Sequence, residues 1–262
     1  MNAALFLAFV AIVASFVASA IAVFLRGPTR LVALGGLAAW LAYAGLLGYF
    51  GIVGDVDLRP PGTAFLVLPV FLFVFLVLAR SKAGARVAAA FPLWLLIGAQ
   101  AFRVPVELFL HQLWLDGLAP RMLTYEGANF DILIGLSAPF IAIMSTRGRF
   151  GKAIALFWSV GGLASLANVA VRALLTAPGA ANIIHAEVPN LAIGTVPFTY
   201  IPGFFAPLAL VLHVLAIRSL RARLNPSRRS HPRSHREAAD AAFSYTAPHD
   251  RETQSPWGRI QR

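Results

Sequence analysis

Residues 2–25, NAALFLAFVAIVASFVASAIAVFL, contain no charged side chain. A helix of about 20 apolar residues crosses the roughly 30 Å of hydrocarbon in a bilayer. Within that layer only self-bonded helices and closed barrels are tolerated. Such runs recur to residue 217, and only 13% of the 262 residues are charged, against about 25% in soluble domains. Barrel strands alternate apolar and polar positions, whereas these runs are continuously apolar. The predicted class is therefore all-α integral membrane. The first run is too long for the apolar core of a signal peptide and no Lys or Arg precedes it, so it reads as a retained span.

Six further runs, about 31–53, 63–79, 87–115, 131–146, 153–175 and 190–217, predict a seven-span helical bundle over residues 1–217. Pro92 and Pro105 should kink span four, and Pro197, Pro202 and Pro207 span seven. The links alternate in sign. Those after spans one, three and five hold Arg26 and Arg30, then Arg80, Lys82 and Arg86, then Arg147, Arg149 and Lys152, with no acid. The other three hold Asp55, Asp57, Asp116, Glu126 and Glu187, with only Arg59 and Arg121 as cations. The positive-inside rule then places the N-terminus outside and the C-terminus in the cytoplasm of a bacterial inner membrane. Seven spans keep every basic link on one side, which six would not.

The net charge is +11. Residues 1–217 hold 12 Lys/Arg and 7 Asp/Glu, and residues 218–262 hold 10 and 4. The tail is rich in Arg, Ser, His and Pro without apolar periodicity, which predicts a disordered cytoplasmic segment beside anionic lipid. No nucleic-acid partner is expected. Without cysteine there is no disulfide and no thiolate ligand.

Polar residues inside the apolar runs carry the functional information. Gln100, Arg103, Glu107 and His111 are spaced three, four and four apart, which at roughly 100° per residue gathers them within about 80° of a helix face. An ionisable residue at mid-membrane costs roughly 2.5–3.5 kcal/mol, so such a stripe faces protein or a water-filled cavity. On the predicted topology Glu126, Asn129 and Asp131 open span five at the outer side, Asn168 and Arg172 share a face of span six, and His185 and Asn190 lie where span seven starts. These eleven residues form a candidate polar pocket that opens to the outside. One reading is binding or translocation of a small solute, anionic in one form, or a proton: Arg103 and Arg172 would attract an anion, and Glu107 or His111 would carry a proton. A second is a membrane-embedded enzyme with Glu107, His111, Glu126 or Asp131 as acid/base or metal ligands. A third is structural, with Arg103–Glu107 as an intrahelical pair and Arg172 neutralising Asp131 or Glu126. All three require the turn 124–131 to fold back, bringing Glu126 or Asp131 within reach of Arg103 or Arg172, because a guanidinium cannot shed its proton. No tight pair of metal ligands, phosphate loop or nucleophile motif occurs, so no metal or cofactor is assigned. His213 reads as a packed residue apart from the pocket.

The segments AFRVPVELFLHQLWLDGLAP, TYEGANFDILIGLSAP and VPNLAIGTVPFTYIP resemble a family of uncharacterised multi-pass bacterial membrane proteins. Its marks are an FRxxxE helix, an EGxNFD turn and a Pro-broken last span. The resemblance covers about residues 97–217 and matches at Arg103, Glu107, Glu126, Gly127, Asn129, Asp131, Pro189 and Asn190. It implies a membrane bundle and no particular activity.

Overall fold

A backbone without water must bond itself, so the uncharged runs become helices. The computed structural model describes residues 2–179 and 182–225. They form α1 (Ala3–Phe24), α2 (Gly27–Tyr49), α3 (Ala64–Leu72), α4 (Lys82–Ala90), α5 (Leu93–Gly98), α6 (Arg103–Leu115), α7 (Asp131–Ser145), α8 (Gly148–Leu175) and α9 (Ala206–Leu224), with no strand among the described residues. Five apolar helices are long enough to cross a membrane: α1, α2, the continuous 93–115 segment, α8, and Ile201–Leu224. The last helix runs to Leu224, where the compact unit ends. Residues 226–262, which carry most of the expected tail, lie outside the described residues.

Three expected spans differ in form, the seventh because its continuous helix starts at Ile201 and not at residue 190. Residues 64–79 and α4 are long enough to cross a membrane only when taken together, and they bend by 82° at the break between them. Span four does not start at 87. Phe91 and Pro92 are extended (ψ 139° and 135°), because the pyrrolidine ring disfavours a helical residue before it. Pro92 therefore separates α4 from α5 rather than kinking one helix. The fifth run is α7, only 15 residues long, about 22 Å at 1.5 Å per residue.

Two of the interior proline breaks are met by a neighbouring helix. Pro207 lacks the N–H that would bond the Gly203 carbonyl, and Trp40 Nε1 donates to that carbonyl at 2.6 Å. Pro69 likewise frees the carbonyl of Phe65, which accepts from the Tyr43 hydroxyl at 3.1 Å. Two aromatic residues one turn apart on α2 thus repair two proline breaks, on α3 and at the start of α9.

The packing is antiparallel. One core cluster joins Leu25, Leu78, Phe91, Leu93, Ala142, Ala155 and Leu220, all close to the basic links. Another joins Phe6, Val10, Leu110, Leu113, Ala192 and Phe198, close to the acidic links. Arg218 donates to the carbonyls of Leu78 and Ser81 at the basic end. The outward faces of α1 and α2 expose Ile12, Phe16, Leu31 and Val32, as a surface in contact with lipid does.

Candidate functional site, a buried ionic network

Pro105 leaves the Ala101 carbonyl without its usual donor, and the backbone just before it tightens into a 3₁₀ turn, Ala99–Phe102. Arg103 follows as the first residue of α6 and is 3% exposed. Its Nη2 donates to Asp131 Oδ2 at 2.5 Å, and its Nη1 lies 3.1 Å from His213 Nε2. A guanidinium only donates, so His213 Nε2 accepts and the imidazole proton resides on Nδ1. Asp131 stands in the first turn of α7, where the helix dipole favours an anion, and its Oδ1 accepts from Ser165 Oγ at 2.5 Å.

The connection before α7 enters the bundle. Leu123, Thr124 and Asn129 are 2%, 0% and 2% exposed. Gly127 permits the fold: a Cβ there would stand 2.3 Å from the Arg121 carbonyl oxygen. Asn129 Oδ1 accepts from the Asp131 backbone N–H at 3.0 Å, and Nδ2 donates to the Leu123 carbonyl at 2.9 Å. The same Nδ2 lies 2.7 and 2.8 Å from the two carboxyl oxygens of Glu107. An amide has two hydrogens. With one on Leu123, the Glu107 oxygens share the other.

The structure brings together Arg103, Glu107, Asn129 and Asp131 from the candidate set, with Gln100 one turn away on the same segment. Gln100 is wholly buried and its Nε2 donates to the Ala209 carbonyl at 3.1 Å. The expected reach from the 124–131 turn to Arg103 is made by Asp131. Two expected pairings are not made. Glu107 bonds Asn129 instead of Arg103, because the guanidinium is already turned to Asp131 and His213. Arg172 meets no carboxylate of the described residues within ion-pair distance; its Nε donates to Asn168 Oδ1 at 2.8 Å, and Asn168 Nδ2 donates to the Ala128 carbonyl at 2.7 Å.

The rest of the set lies apart. His111 stacks on Tyr125 with ring centroids 4.8 Å apart and reaches Glu126 at 3.7 Å. Glu126 and His185 are exposed. Asn190 is buried but serves the loop, donating to the Ala173 carbonyl. Sequence reasoning missed Ser165 and set His213 aside. Ser165 was indistinguishable from the small residues that let α8 pack closely. His213 lies in an apolar stretch with no polar neighbour at helical spacing, so only the packing of α9 reveals its partner. Among the described residues no three His, Asp or Glu side chains gather as metal ligands.

No curated protein and no solved structure matches the chain. Residues 60–221 match a family described as Domain of unknown function (DUF8737), a segment that holds every residue of the network and covers well over half the sequence, so the chain belongs to that family.

Proposed function

We propose that this protein binds and relays a proton through the buried network, with Glu107 as the group that gains and loses it. The observation that carries the reading is charge accounting. Arg103 is permanently charged and Asp131 already balances it at 2.5 Å. Glu107 is a second carboxyl, 2% exposed, with no cation at ion-pair distance among the described residues. It can change charge without orphaning the guanidinium. Arg103, Glu107, Asn129, Asp131 and His213 are all 5% exposed or less. A solute would need the helices to part, whereas a proton needs only hydrogen bonds, so the proton reading is favoured over the solute one.

On this reading the protein is a multi-pass protein of a bacterial inner membrane with its basic end in the cytoplasm, as the link charges support. The FRxxxE helix and EGxNFD turn are then the two halves of the relay, Glu107 and Asn129 facing each other across them. The test is proton flux into vesicles holding the purified full chain and a pH-sensitive dye. Wild type should exceed protein-free vesicles, and Glu107→Gln should lose at least tenfold while unfolding at a similar temperature. Wild-type flux equal to empty vesicles, or an unaffected Glu107→Gln, would overturn the proposal.

A further inference from the structure

Behind the Arg103–His213 contact, three helical segments each bury a polar atom that finds no partner among the described residues: Gln100 Oε1, Ser159 Oγ and His213 Nδ1. The parent residues are all 0% exposed. Their chemical roles are fixed. Gln100 Nε2 donates to a carbonyl, so its Oε1 is a free acceptor. His213 Nε2 accepts from Arg103, so its Nδ1 is a free N–H donor. Ser159 behaves unlike the hydroxyls of Ser137, Ser145, Thr146 and Thr176, which return to a carbonyl three or four residues back. Its hydroxyl makes no such bond and can both donate and accept.

The unpaired atoms flank the His213 ring along the helices, Ser159 one turn toward the basic end and the Gln100 contact with Ala209 one turn toward the acidic end. The His213 ring lies on Gly162, where a Cβ would stand 2.3 Å from Cε1, and Ser159 is one turn from Gly162 on the buried stripe of α8. The adjacent Trp158 ring is 5.4 Å from the imidazole. Gln100 bonds the carbonyl of Ala209, one turn before His213 on α9. An unpaired buried polar atom costs about 1–3 kcal/mol, so three on adjacent turns call for a common partner.

We propose that this junction is a binding site for water, held by His213 Nδ1–H as donor, Gln100 Oε1 as acceptor and Ser159 Oγ as either. The chemistry selects the ligand. A cation would meet the imidazole N–H and lie close to Arg103, and an anion would meet the glutamine carbonyl. Water offers both a donor and an acceptor, and buried waters make about three hydrogen bonds. The site continues the polar path from Asp131 and Arg103 to α8 and α9, and it stands whether or not Glu107 carries protons.

The test is solid-state NMR of the ¹⁵N-histidine-labelled full chain in lipid, with His213 assigned by the signal missing from His213→Asn. His213 should carry its proton on Nδ1, and that proton should receive magnetisation from water although the residue is fully buried. Ser159→Ala should weaken this transfer and lower the unfolding midpoint by about 2–4 °C, as loss of one bond from an occupied site does. A dry junction predicts the reverse, since the substitution would then delete an unpaired hydroxyl and raise the midpoint. A proton on Nε2, or no transfer from water in wild type, would overturn the proposal.

Discussion

Asn129 stands between the two acids of the network, donating from Nδ2 to Glu107 while its Oδ1 accepts the backbone N–H of Asp131. One side chain therefore fixes the turn, the start of α7 and the setting of Glu107. Asn129→Ala should destabilise by about 1–3 kcal/mol for each group left unpaired. Asn129→Asp, though closer in shape, should be worse than Ala because it places a second carboxylate against Glu107. Thermal unfolding in detergent orders the two variants, and Asp above Ala would count against this geometry.

Asp131 is the counter-charge of Arg103. Asp131→Asn alone should cost about 3–5 kcal/mol, the range for breaking a buried pair. Adding Arg103→Gln should recover part of that loss, since an amide pair leaves no buried charge. Strictly additive losses in the double-mutant cycle would mean that the two side chains are not coupled.

Gly162 and Gly161 form an internal control. A methyl group at 162 would stand 2.4 Å from His213 Nε2, whereas at 161 it meets nothing within 4 Å. Gly162→Ala should push the imidazole off Arg103 and cost about 1–3 kcal/mol or more through overpacking. Gly161→Ala should be neutral or stabilising by up to about 1 kcal/mol, from helix propensity. The ordering of the two unfolding midpoints is the measurement.

Trp40→Phe and Tyr43→Phe keep the rings and remove only the donors that serve Gly203 and Phe65. Each should cost about 0.5–1.5 kcal/mol, the net worth of one hydrogen bond, because the Gly203 contact is only half-buried and the Phe65 contact is exposed. The larger loss is expected for Trp40, whose hydrogen bond is the shorter. Neutral substitutions would show that water or lipid headgroups reach these carbonyls.

The absence of cysteine allows clean single-site labelling. Asp57→Cys should react with a membrane-impermeant thiol reagent added to intact cells, and Asn225→Cys only after permeabilisation. Labelling in the opposite order would reverse the orientation inferred from the link charges.

Residues 2–25 and the runs after them determined by themselves that the chain is helical and suited to a membrane, because transfer free energy and backbone hydrogen bonding act locally. Link charges likewise carry the expected orientation, through the positive-inside rule. The Gln100–Arg103–Glu107 stripe marked the buried helix face, and charge accounting required an acid from the following turn to reach Arg103. Spacing along one helix could not say which partner each group would choose. Arg103 turned to Asp131 and His213 because α7 and α9 pack against its segment, and Glu107 was left to Asn129 by the depth of the re-entering turn. Nor could the chain order show that Trp40 and Tyr43 repair breaks at Pro207 and Pro69, or that the Ser159 hydroxyl finds no carbonyl of its own helix. These are choices between competing hydrogen-bond partners far apart in sequence, and only the packed helices decide them.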